Sequence, residues 1–98
     1  MARVTPGLTE MQTNISRDER DGSNWIVVDC HAKESQLDLD RVLLLELIAR
    51  KHGVNCNKSV PSETMKKGEF YDSQTVYIEN PTTSFEKDFL LWTLGKTL

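Results

Sequence analysis

Cys30, His31, His52 and Cys56 are the only cysteines and histidines in the chain. Two thiols and two imidazoles match the donor set of a tetrahedral structural zinc site. Their spacing does not. Cys30 and His31 are neighbours, and neighbours in an extended segment point to opposite sides. His52 and Cys56 straddle a predicted helix end, so neither half forms the short Cys-x-x-Cys loop that makes such a site specific. Each residue also has a structural reading, Cys30 as a small core side chain and His52 as a cation at a helix terminus. No metal and no cofactor is therefore expected.

Other chemistry meets the same test. A nucleophilic thiol needs a base within hydrogen-bond reach and a third group to orient that base, which Cys30 beside His31 does not supply. The carboxylate pairs Asp38 and Asp40, and Glu86 and Asp88, each fall at the start of a predicted helix, where the helix dipole already accounts for them. A small enzyme or a zinc-stabilised domain is the third functional reading, and it requires Cys30, His31 or His52 to converge with a carboxylate in a pocket.

The elements that would position these residues follow from apolar spacing. Residues 1–23 carry little hydrophobic periodicity, and Ser16 to Ser23 is polar without a break. Such a segment offsets little of its ordering entropy, which predicts a flexible N-terminal arm over 1–23 and a single domain over 24–98. Trp25-Ile26-Val27-Val28 reads as a strand covered on both sides, and Asp29 to Gln36 as a loop. A helix is expected from Leu37 to His52, with Ser35 as N-cap, Arg50, Lys51 and His52 at its negative end, Gly53 as the stop and Val54 folding back on the last turn. Its apolar arc, from Leu39 through Leu44 to Ala49, is wider than one buried stripe, which implies contacts on more than one side.

Asn55 to Gly68 shows no convincing period and reads as a long connection. Glu69-Phe70-Tyr71 and Thr75 to Glu79 read as a hairpin turning at Asp72-Ser73-Gln74. Thr83 with Glu86 three residues on is a capping-box pattern, and Phe85, Phe89 and Trp92 give the apolar face of a second helix ending at Gly95.

At 98 residues the chain has length for one core. Twelve Lys and Arg against fifteen Asp and Glu give a net charge of -3, which disfavours extended phosphate backbones as partners. The longest apolar-rich run, Val42 to Ala49, is interrupted by Glu46 and too short to span a bilayer, so no membrane partner is expected. The first residues lack the apolar core of a secretory signal, so an intracellular, cytoplasmic location is expected, with both cysteines reduced.

Two local resemblances remain. Ile48-Ala49-Arg50-Lys51-His52-Gly53-Val54 resembles the first helix and turn of a helix-turn-helix protein, with the Phe70 to Ile78 hairpin in the place of a wing. Pro61 stands where that family's recognition helix would run, and Ser59 and Ser62 where it needs apolar residues. Val76-Tyr77-Ile78-Glu79-Asn80 and the helix after it are similar to the first strand and helix of an RNA-recognition motif. This second resemblance covers only the last quarter of the chain, and no family is assigned on either.

The expected architecture is α+β, an α/β sandwich: a small, mainly antiparallel three-stranded sheet with two helices on one face. The expected function is a non-enzymatic protein-protein interaction module, a regulatory or assembly subunit whose partner is another protein or a second copy. Leu44 of the leucine-dense helix and Phe70, Tyr71 and Tyr77 of the hairpin are its expected contact residues. The alternative is an RNA- or DNA-binding domain using Lys66 and Lys67 beside Tyr71 and Tyr77.

Overall fold

A computed structural model of the chain describes residues 11–33, 39–66 and 68–95. The elements are β1 (Gln12–Arg20), β2 (Ser23–Lys33), α1 (Leu39–Lys51), β3 (Asn55–Lys58), β4 (Ser62–Lys66), β5 (Glu69–Glu79) and α2 (Thr83–Thr93). The class is α+β, as expected. The sheet is antiparallel with five strands instead of three, in the order β1-β2-β5-β3, with β4 also paired to β5.

The additional strands come from segments whose polar residues concealed them. Residues 12–20, read as part of an arm, pair along their whole length with β2, Gln12 opposite His31 and Arg20 opposite Ser23. The turn between them is Asp21-Gly22, with φ of 51° and 79°, the conformation that a two-residue hairpin linking right-twisted strands demands. The boundary expected at 23/24 therefore falls inside a hairpin, while residues 1–10 lie outside those described. Polar β1 tolerates pairing because it is an edge strand, and charges such as Arg17, Asp18, Glu19 and Arg20 discourage further strand addition there.

β2 runs on through the segment read as a loop. Ile26, Val28, Cys30 and Ala32 are buried on one face, while the alternate Val27, Asp29 and His31 are half-buried on the other. Polar Asp72-Ser73-Gln74 likewise does not turn. β5 is one continuous strand, paired to β2 from Tyr71 to Glu79, and the observed hairpin is β4–β5. Residues 55–66, expected to be an unstructured connection, form a broken edge strand against β5. Between β3 and β4, residues 59–61 face only Gln74 and Thr75, a one-residue bulge carrying Pro61 that blunts this edge too. Ser59 fastens the break: its N–H donates to the Thr75 carbonyl at 2.8 Å, its Oγ accepts from the Thr75 N–H at 2.9 Å, and its carbonyl accepts from Gln74 Nε2 at 2.9 Å.

Both helices cover the face bearing Ile26, Val28, Cys30, Val76 and Ile78, and one core cluster joins them through Val42, Leu45, Ile48, Ala49, Phe85, Phe89 and Trp92. Each fully buried side chain of this kind stabilises the fold by about 1.5–3 kcal/mol. α1 ends in the expected Schellman turn, Val54 N–H to the Ala49 carbonyl at 2.8 Å and Gly53 N–H to the Arg50 carbonyl at 3.1 Å. The expected N-cap, Ser35, lies outside the described residues. α2 is capped one residue earlier than expected, Thr82 Oγ1 accepting from the Phe85 N–H at 3.1 Å, which frees Glu86 for another partner.

That partner is Arg17 of β1, two hydrogen bonds of 2.8 and 2.7 Å in a bidentate fork. It fixes α2 over the β1 side of the sheet, while Glu46 of α1 reaches Lys58 of β3 at 3.1 Å on the other side. The helices lie antiparallel. Arg41, early in α1, meets Trp92, late in α2, and His52 beyond α1 meets Phe85 near the start of α2 and Asp88 in its middle, at 2.7 Å. Between these contacts runs an aromatic ladder, His52 edge-on to Phe85, Phe85 stacked on Phe89, and Phe89 on Trp92. No helix among the described residues is long and apolar enough to cross a membrane.

Candidate functional site

The fold scatters the four soft ligands. Cys30 is fully buried under the helices, and His31, next to it, faces the opposite side of the sheet at 3.2 Å from Gln12 Oε1. His52 is engaged by Asp88. Cys56 sits on β3 opposite Ile78, whereas Cys30 on β2 is opposite Gln74, so the two thiols flank β5 on different sides and four residues apart along it. Both are free. Burial pushes the Cys30 thiol up to about 11, helped by Asp29 and opposed by Arg41. Burial and Glu46 push Cys56 up to about 11, opposed by Lys58 and Arg50. A thiol held in its protonated form is a poor nucleophile. Among the described residues no group of three or more His, Cys, Asp or Glu is placed to hold a metal ion.

The expected contact residues divide between surfaces. Tyr71 and Tyr77 share the face of the sheet away from the helices, and Tyr77 lies in β5, a central strand between β2 and β3. Phe70, one residue from Tyr71, points to the opposite face and pairs with Met65 near the hairpin tip. Leu44 is half-buried and packs against the core. The side chain of Lys66, and Lys67 altogether, lie outside the described residues.

Two surfaces stand uncovered among the described residues. On the open face of the sheet, a cavity of about 430 Å³ has Trp25, Val27 and Tyr77 among its lining, with Asp18, Arg20, Asp21 and Glu79 around them. A second, of about 390 Å³, takes in Asp29, His31, Tyr71 and Ser73. Arg20 already binds Asp18 at 2.9 Å, so carboxylates dominate the rim of the first.

The second surface is the outer side of the helices. Leu39, Leu43 and Leu47 recur every fourth residue and are 55%, 46% and 47% exposed, on the far side of the α1 wheel from Val42, Leu45 and Ala49. Leu90 of α2 and Leu94 at its C-cap make the corresponding outward pair. This row, and Trp25 on the sheet, were not singled out as site residues from sequence. The four-residue repeat of Leu39, Leu43 and Leu47 is the signal that distinguishes the outward leucines from the rest of the arc. No family model, no curated protein and no solved structure matches the chain.

Proposed function

We propose that the chain is a non-enzymatic protein-protein interaction module whose contact surface is the outer face of α1. The observation that carries this reading is the row of Leu39, Leu43 and Leu47, half-exposed while Leu45 and Ile48 of the same helix fill the core. Apolar side chains aligned along a helix and spared from the core are suited to burial against another protein. The test is affinity capture from the native source with the wild-type chain and with Leu43→Glu and Leu47→Glu. A partner held by the wild type and released by both variants, with their unfolding temperatures unchanged, supports the module; equal capture by all three removes it.

Nucleic-acid binding is the second reading. It is favoured by the placement of Trp25, Tyr71 and Tyr77 on one open sheet face, where aromatic rings can stack on bases. Asp18, Asp21 and Glu79 on the same face work against phosphate. Binding of single-stranded RNA that weakens steeply with salt would favour it over the protein module.

A further inference from the structure

We infer that the partner covering α1 is a second copy of this chain, docked with α1 against α1 in antiparallel sense about a two-fold axis. This rests on the reading of the leucine row as an interface and names its occupant. The row follows the ridge that side chains four apart make along a helix, and such ridges pack into the matching grooves of another copy.

The charges choose the direction. Asp40 lies in the first turn of α1, and Arg50 and Lys51 in the last, where within the chain Arg50 also reaches Glu46 at 3.6 Å and the exposed Lys51 reaches Asp88 of α2 at 3.5 Å. Two parallel helices would bring both first turns, each with Asp40, to one end and both basic last turns to the other. In the antiparallel arrangement, with the axis passing between Leu43 and Leu47, Leu43 of one copy meets Leu47 of the other. Asp40, which lies on the same flank of the row as Lys51, then meets the basic last turn of the opposite helix. Both contacts occur twice, as an isologous interface requires, and the opposed helix dipoles agree with the same direction.

The other surfaces suit a second copy less well. β1 presents charges at one edge and the β3–β4 bulge with Pro61 interrupts the other, and stacking two open faces would oppose the carboxylates Asp18, Asp21, Asp29 and Glu79 with themselves.

Sedimentation equilibrium on the full chain tests this. The wild type is expected to dimerise, Leu43→Glu to weaken the dimer about 100-fold or more, and Asp40→Lys and Lys51→Asp each by about tenfold; because Lys51→Asp also sets a carboxylate beside Asp88, the unfolding temperature of each variant is read alongside. Mixing the last two in equal amounts restores a dimer, because the introduced lysine of one then faces the introduced aspartate of the other, and the remaining Asp40 faces the remaining Lys51. A wild type that stays monomeric to roughly 0.3 mM, too weak for a standard interface, overturns the second copy as occupant, as does a dimer indifferent to the charge exchange. If the monomer still captures a different protein and Leu43→Glu abolishes that capture, the interaction module stands without self-pairing. If Leu43→Glu changes neither, both fall.

Discussion

Arg41 and Trp92 hold each other through three contacts. Trp92 Nε1 donates to the Arg41 carbonyl at 2.8 Å, the Arg41 guanidinium donates to the Trp92 carbonyl, and the same guanidinium lies 4.5 Å from the centre of the indole ring. One residue of α1 thus satisfies an end of α2, caps the aromatic ladder and leaves the indole buried with its N–H paired. The outer leucines can be spared for another use because this inner seam already joins the helices.

Trp92 is therefore expected to contribute in two separable parts. Trp92→Ala should cost about 3–5 kcal/mol of stability through the cavity it leaves. Trp92→Phe keeps an aromatic ring beside Phe89 but leaves the Arg41 carbonyl without its donor, and should cost about 1–3 kcal/mol. Urea unfolding of the two variants measures both; a Trp92→Phe variant as stable as the wild type would mean that the hydrogen bond carries nothing, and equal losses that the ring adds nothing beyond it.

Acid should loosen both sides of α2. Hydrogen bonding to Arg17 holds the Glu86 carboxyl below its ordinary value, and hydrogen bonding to His52, aided by Lys51, does the same for Asp88. The folded state then binds fewer protons than the unfolded, so this stabilisation is complete above the ordinary carboxylate range of about pH 4 and is lost as pH falls through the lowered values. Glu86→Gln and Asp88→Asn should each flatten the acid limb of a plot of unfolding free energy against pH. A limb unchanged in both variants would locate acid sensitivity elsewhere.

At the alkaline end the sign is reversed. Both thiols are pushed up to about 11 from 9.0, so the unfolded chain releases these protons first and stability declines as pH rises from 9.0 towards 11. At about pH 8, below the ordinary thiol range, a thiol-specific reagent should leave fully buried Cys30 untouched and modify Cys56 slowly. Rapid modification of Cys30 in the folded chain would contradict its place beneath the helices.

The turn joining β1 to β2 depends on backbone freedom more than on space. A Cβ added at Gly22 would meet nothing within 4 Å, yet φ there is 79°. Gly22→Ala should cost about 1–2 kcal/mol, and Gly22→Asn less, because Asn tolerates the left-handed region. Calorimetric melting of the pair checks this, and two neutral substitutions would argue against the paired strand that replaces the expected arm.

The helices were more legible in the sequence than the sheet, for physical reasons visible at single residues. Gly53 and Val54 announce the end of α1 because the Schellman turn needs a left-handed residue followed by an apolar one. β1 carries no apolar alternation because it is an edge strand that meets α2 through the charged pair Arg17–Glu86, and only Asp21-Gly22 marked its hairpin. In β2, Asp29 and His31 read as loop residues, although Val28, Cys30 and Ala32 between and around them keep the period of two that one covered face imposes. Asp72-Ser73-Gln74 misled in the same way, since the polar Gln74 is buried on the covered face, its Nε2 donating to the Ser59 carbonyl. The outward leucines of α1 were seen only as an excess of apolar arc, because separating a core leucine from an exposed one requires knowing where the sheet lies.

The unfolding free energy of Leu43→Glu, measured beside Leu45→Glu at a concentration low enough for single chains, tests most directly whether the outer row is free of the core. Leu43→Glu should fall within about 0.5 kcal/mol of the wild type, as a surface substitution does, while Leu45→Glu unfolds the chain. A comparable collapse in both would place Leu43 in the core and leave α1 without a surface to offer a partner.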